Sequence, residues 1–124
     1  MPRYADGKIC YVEIPAADAK RSAAFYEAVF GWPTRRRGDG ATAFDDAAGE
    51  VSGAFVTGRT PHRESGLMLY VMVADAAATL AKVVAHGGEV VQPVHPGAPE
   101  VTARFRDPAG NVVGIYQEMT LTST

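Results

Sequence analysis

Apolar residues recur along this chain in two rhythms, and each rhythm appears twice. Residues 8 to 15, "KICYVEIP", are rich in β-formers and stop at Pro15, which predicts a strand. Asp18 then offers a helix N-cap. Ser22, Phe25, Tyr26, Val29 and Phe30 follow at the i, i+3, i+4 spacing of one helical face, and Gly31 and Pro33 end the helix. Residues 66 to 75, "GLMLYVMVAD", read as a second strand leading to a second N-cap at Asp75. Leu80, Val83 and Val84 form the apolar stripe of a second helix, stopped by Gly87 and Gly88. Gly31 lies 13 residues after Asp18, and Gly88 lies 13 after Asp75.

Short strand signals follow each helix, near 34–37, 41–45 and 50–57 in the first half and near 89–94, 100–106 and 111–117 in the second. Both final hairpins turn at Asp-x-x-Gly, "DAAG" at 46 to 49 and "DPAG" at 107 to 110. Pro108 presets φ for its turn, and Gly110 supplies a positive φ. Around these turns "FDDAAGEVSG" (44–53) and "FRDPAGNVVG" (105–114) align without a gap, so Gly53 and Gly114 stand as equivalents. The reading is an α+β domain over residues 1–124 built from two tandem βαβββ modules, 1–57 and 67–124. A polar linker, 58–66, joins them.

Two stretches resemble signatures of the vicinal oxygen chelate superfamily: "EIPAADAKRSAAFYEAVFGWP" and "FRDPAGNVVGIYQ". That superfamily includes glyoxalase I, extradiol dioxygenases and bleomycin-resistance proteins. The resemblance covers nearly the whole chain. It implies a glyoxalase-like fold: a curved mixed sheet around a cavity, with the helices outside. In metal-dependent members of the family, four positions near the cavity floor carry His and Glu ligands. Counted from the helix caps and turn aspartates, these positions are Tyr11, Gly53, Met68 and Gly114 here. Glycine has no donor, a Met thioether is a poor ligand for hard or borderline metals, and one phenolate does not hold an ion. The expectation is therefore a protein of this superfamily without the usual metal site and without a cofactor.

Strand alternation then suggests what lines the cavity. If Tyr11 faces it, so do Ile9 and Glu13, while Cys10, Val12 and Ile14 face the helices. The same rule sends Met68, Tyr70 and Met72 inward, with Val51, Gly53 and Phe55, and with Val112, Gly114 and Tyr116. Thr102, Arg104 and Arg106 go inward or to the rim. The expected ligand-binding set is Tyr11, Glu13, Phe55, Met68, Tyr70, Arg104 and Tyr116, apolar walls with a few polar contacts. Two readings of Glu13 stand side by side: a carboxylate that binds a cation or acts as a base, or one paired with an arginine, Arg104 being the candidate. The same apolar residues equally suit packing against one another or against a partner subunit.

Composition narrows the classes. Apolar residues make up 47% of the 124, enough for a core, and the net charge is −2, a poor basis for nucleic-acid or anionic-membrane binding. The single cysteine, Cys10, forms no internal disulfide and is expected as a buried thiol in a reducing, cytoplasmic compartment. The N-terminus lacks the apolar stretch of a signal peptide, and no run approaches a membrane span. His62, His86 and His95 share no ligand spacing. "RRR" at 35–37 reads as a charged edge strand. The resulting expectation is metal-independent binding of a small, partly apolar molecule, in the cavity or at a dimer cleft. Analogy with bleomycin-resistance proteins implies a homodimer. The alternatives are a metal-dependent lyase, isomerase or dioxygenase with a non-standard site, and a non-catalytic interaction module.

Overall fold

A computed structural model describes residues 3–63 and 66–118. In chain order it contains β1 (Tyr11–Pro15), α1 (Ala19–Phe30), β2 (Thr34–Arg36), β3 (Thr42–Asp45) and β4 (Ser52–Val56). Then come β5 (Tyr70–Val73), α2 (Ala76–Ala85), β6 (Glu89–Gln92), β7 (Thr102–Arg106) and β8 (Val112–Gln117). This is βαβββ twice. Each module forms its own four-stranded mixed sheet, ordered β1-β4-β3-β2 and β5-β8-β7-β6, with the first strand parallel to the last and the other pairs antiparallel. Contacts divide the chain into two compact units, Met1–Pro61 and His62–Thr124.

The helices start and stop where local chemistry dictates. The Asp18 carboxylate accepts from the Lys20 and Arg21 amides, and Asp75 accepts from the Ala78 amide, satisfying N–H groups that a helix leaves unpaired. Gly31 closes α1 in the left-handed conformation, φ 72°, with its N–H on the Glu27 carbonyl at 2.9 Å.

Helix α1 buries Phe25, Tyr26 and Val29 against one face of the first sheet. Tyr26 is fully enclosed and stacks on Trp32 at 4.9 Å and on Phe55 at 5.6 Å. Phe44 closes the cluster against Trp32 at 4.8 Å and Phe55 at 5.0 Å. In the second unit Val83, Ala103, Phe105 and Ile115 are fully buried. The strand register sets Val71, Ile115 and Ala103 in one row of the second sheet.

The two final hairpins differ by one residue. Phe44 pairs with Gly53, whereas its counterpart Phe105 pairs with Val113, one position sooner. The turns show why: the Asp46 N–H reaches the Val51 carbonyl, but the Asp107 N–H reaches the Asn111 carbonyl, both at 2.8 Å. The gapless alignment of the two segments therefore misplaces β4. A one-residue slip moves every following side chain to the other side of a sheet. Gly53 consequently faces α1, and Ala54, paired with Glu13 and Ala43, is the register equivalent of Gly114.

Two expectations fall with that slip and with the start of β1. Phe55 lies in the helix-side core, 3% exposed, and not on the face that carries Tyr11 and Glu13. Cys10 is exposed, one residue ahead of the first regular strand, where Tyr11 begins β1. Asp107 and Asn111 form a buried knot at the second turn. Asp107 accepts from the Ala109 and Asn111 amides at 2.9 Å and from Asn111 Nδ2 at 2.9 Å, while Asn111 Oδ1 accepts from the His62 amide at 2.8 Å.

Candidate functional site

The face opposite the helix carries Tyr11 and Glu13 on the first sheet and Tyr70, Arg104 and Tyr116 on the second, and the two faces differ in chemistry. In the first module a row runs Glu13, Ala54, Ala43, Arg35, beside a row of Tyr11, Ser52 and Asp45. The Tyr11 hydroxyl donates to Glu13 Oε2 at 3.3 Å and accepts from Arg37 Nη1 at 2.9 Å. Glu13 forms its ion pair with Arg59 at 2.6 Å, where Arg104 was the expected partner. Asp45 accepts from Ser52 Oγ at 2.7 Å and pairs with Arg35. Arg37 also holds Asp39 at 2.9 Å. That hydrogen bond, with the Ala41 amide behind it, keeps the Asp39 carboxyl below its ordinary pKa. Arg37 is raised in turn by Asp39 and then Tyr11. Acids and arginines thus offset one another across this face. Arg35, Arg37 and Arg59 were not assigned to the site from the sequence. The signal was present in "RRR", where alternation along the strand sends the first and third arginines toward the Tyr11 side.

In the second module the row Tyr70, Gly114, Arg104 crosses β5, β8 and β7, beside Met72, Tyr116 and Thr102. A Cβ at Gly114 would stand 2.5 Å from Tyr70 Cε2 and 2.6 Å from Cδ2, so the tyrosine ring lies across the space that a side chain would fill. Its hydroxyl accepts from Arg104 Nη2 at 3.1 Å. Tyr70 and Met72 remain 47% and 57% exposed, Arg104 and Tyr116 are half-buried, and Met68, just ahead of β5, is half-buried too. Beside this aromatic ring and thioether the face carries the arginines of β7, with Arg106 paired to the exposed Glu89 of β6 at 3.4 Å.

The family's metal does not fit these residues. Tyr11 is engaged by Glu13 and Arg37. Met68 offers only a thioether. Gly53 faces the helix, and its equivalent on the open face is Ala54. At Gly114 the room for a ligating side chain is taken by the Tyr70 ring. Among the described residues no group of three or more His, Cys, Asp or Glu could hold a metal ion.

Away from these faces, a shallow cleft of about 450 Å³ in the first module is lined by Tyr4, Lys8, Cys10, Glu50 and neighbours. Glu50 there accepts from the Arg3 amide at 3.1 Å and pairs with Lys8 at 3.2 Å, and both hold its carboxyl below its ordinary pKa. Its charged groups are satisfied by each other. Among the described residues no helix is long and apolar enough to cross a membrane.

Comparison with known proteins places this geometry. Residues 11–116 match the family of the glyoxalase-like domain. A glyoxylase-like domain-containing protein of Didymella fabae is 30% identical over 118 residues, covering 88% of this chain and 92% of that one. Among solved structures, a glyoxalase/bleomycin resistance protein from Albidiferax ferrireducens T118 superposes with a TM-score of 0.71 at 18% identity. That match covers 89% of this chain and 98% of the other. TnmS3, an antibiotic binding protein from Streptomyces sp. CB03234, superposes with a TM-score of 0.69 at 21% identity, covering 93% and 98%. With two βαβββ modules in place and the family match spanning nearly all of them, the chain belongs to the glyoxalase-like domain family of the vicinal oxygen chelate superfamily.

Proposed function

We propose that this protein binds a small, partly apolar molecule without a metal ion, using the sheet faces opposite its helices. The observation that carries the reading is the exchange at Gly114. Where metal-dependent relatives are expected to place a ligating side chain, this chain places the ring of Tyr70, with Met72 exposed beside it. Apolar and aromatic walls with a few placed polar groups are the usual make-up of a small-molecule site. Methionine adapts such a wall to irregular shapes. That TnmS3 is an antibiotic binding protein supports the reading by analogy.

A thermal-shift screen of small molecules, run with and without a strong chelator, tests it. A ligand present at a hundred times its Kd stabilises the folded state by about 2.7 kcal/mol. The expected result is at least one compound whose shift is unchanged by the chelator. Stoichiometric metal in protein purified without added metal, with shifts lost on chelation, would support the metal-enzyme alternative. A screen with no shifts would support the interaction module.

A further inference from the structure

We propose that the start of β5 is a two-position switch. The Val112 N–H, held here by the His62 carbonyl, is also the ladder site of the Leu67 carbonyl, and exchange between the two carries Met68 onto or off the open face of the second sheet. The switch lies wholly within the second module and stands whether or not that face binds a ligand.

The ladder between β5 and β8 breaks off early. Tyr70 pairs with Gly114, and the Gly114 N–H reaches the Leu69 carbonyl at 2.8 Å. In a parallel ladder the next bond of this kind lies two residues back on each strand, from the Val112 N–H to the Leu67 carbonyl. The first module makes that bond. At the equivalent place the Ser52 N–H reaches the Cys10 carbonyl at 3.1 Å, and pairing continues from Tyr11. In the second module the Val112 N–H goes instead to the His62 carbonyl at 2.9 Å. His62 and Leu69 therefore hold neighbouring ladder sites, although they lie seven positions apart in the chain where the ladder needs two. That slack lets Leu67 take the site that His62 holds.

Opposing terms keep the two arrangements close in free energy. His62 is retained by its amide, which donates to Asn111 Oδ1 at 2.8 Å. Against this, its Nε2 is buried with no hydrogen-bond partner among the described residues, and Leu67 is 92% exposed. A buried ring nitrogen without a partner and an aliphatic side chain left in water both disfavour the arrangement that holds them. Exchange preserves a bond at Val112, lets Nε2 meet water and gives up the Asn111 bond. Alternation then sends Leu67 to the helix side with Leu69 and Val71, and Met68 to the open face with Tyr70 and Met72. Met68 would there pair with Val112 as Tyr11 pairs with Ser52 in the first sheet. A ligand that touches Met68 on that face favours the extended strand, because a ligand shifts an equilibrium by its differential affinity for the two states.

Long-range HNCO spectra of the full chain, which read coupling across a hydrogen bond, test this together with amide exchange. In the unaltered protein the Val112 amide should couple to the His62 carbonyl. Two variants release the His62 amide. Asn111→Ala removes its acceptor, and His62→Pro removes the N–H while leaving Asn111 on Asp107, so the second serves if the first does not fold. In either, the Val112 coupling should pass to the Leu67 carbonyl, and Val112 exchange should stay within about tenfold of the unaltered rate. Adding Leu69→Pro, which removes the next N–H of the extended ladder, should then quicken Val112 exchange by about tenfold or more. A coupling that stays with residue 62, or a Val112 amide that exchanges as fast as an exposed one in the released variants, overturns the switch. Either result leaves metal-free binding to be decided by the chelator-controlled screen alone.

Discussion

The ring of Tyr70 stands where a side chain at Gly114 would be, and its hydroxyl meets Arg104 at 3.1 Å. The other glycine of the apparent repeat, Gly53, behaves differently. A Cβ there would run into the Val12 carbonyl oxygen and the Phe44 ring. The same residue type thus serves a surface arrangement in one module and core packing in the other.

Gly53→Ala and Gly114→Ala should separate these roles. At Gly53 the obstacle includes backbone, so the first sheet must shift. Overpacking of this kind costs about 1–3 kcal/mol, readable in urea denaturation. At Gly114 the obstacle is a half-exposed side chain that swings aside. Gly114→Ala should therefore lose about 1 kcal/mol or less. Equal losses at the two sites would contradict the one-residue difference between the hairpins.

Phe55→Ala should destabilise the protein by about 3–5 kcal/mol, the range for emptying a buried aromatic site. Phe55 is enclosed by Tyr26 and Phe44 on the helix side, so its loss opens a cavity in the core. A variant of unchanged stability would return Phe55 to the open face.

Asn111→Ala should cost about 1–3 kcal/mol, because the side chain donates to the buried Asp107 Oδ2 and accepts from the His62 amide, and its removal takes a hydrogen bond from each. Hydrogen exchange should quicken at the His62 amide, which loses its acceptor.

The acid limb of the pH profile should carry a signature of Asp39. Its folded-state pKa lies below its unfolded value, first because of the Arg37 hydrogen bond and then the Ala41 amide. A depressed carboxylate stabilises the folded state at neutral pH, and that contribution is lost as pH falls from its ordinary range through the lowered folded value. Carbon-detected NMR should show Asp39 titrating below a free aspartate. Arg37→Gln should move it back toward the ordinary value. No movement would mean that the Arg37 contact does not persist in solution.

Much of the architecture was legible without coordinates. Asp18, Gly31 and Asp75 act through local chemistry, and the structure finds the two N-caps and the left-handed C-cap at those residues. The strands of both modules lie inside or beside the predicted ranges, and Thr102, Arg104 and Arg106 pair into the rows of Tyr116, Gly114 and Val112. The misreadings came from β4 and from Cys10. In β4 the apolar pattern of "VSGAFV" fits either face, so the alternation carried no phase of its own, and the phase was borrowed from the other hairpin. The partner of Glu13 was equally illegible, since Arg59 reaches it from a segment with no periodicity.

By itself the sequence determined what depends on near neighbours: where helices begin and end, where hairpins turn, and that one layout is used twice. Those are short-range matters of capping, backbone freedom and side-chain chemistry. Tertiary structure alone decided which face each residue of β4 presents, which arginine meets Glu13, and that Tyr70 fills the space above Gly114. These follow from strand register. A single added turn residue resets register for a whole strand, while leaving the hydrophobic pattern nearly unchanged.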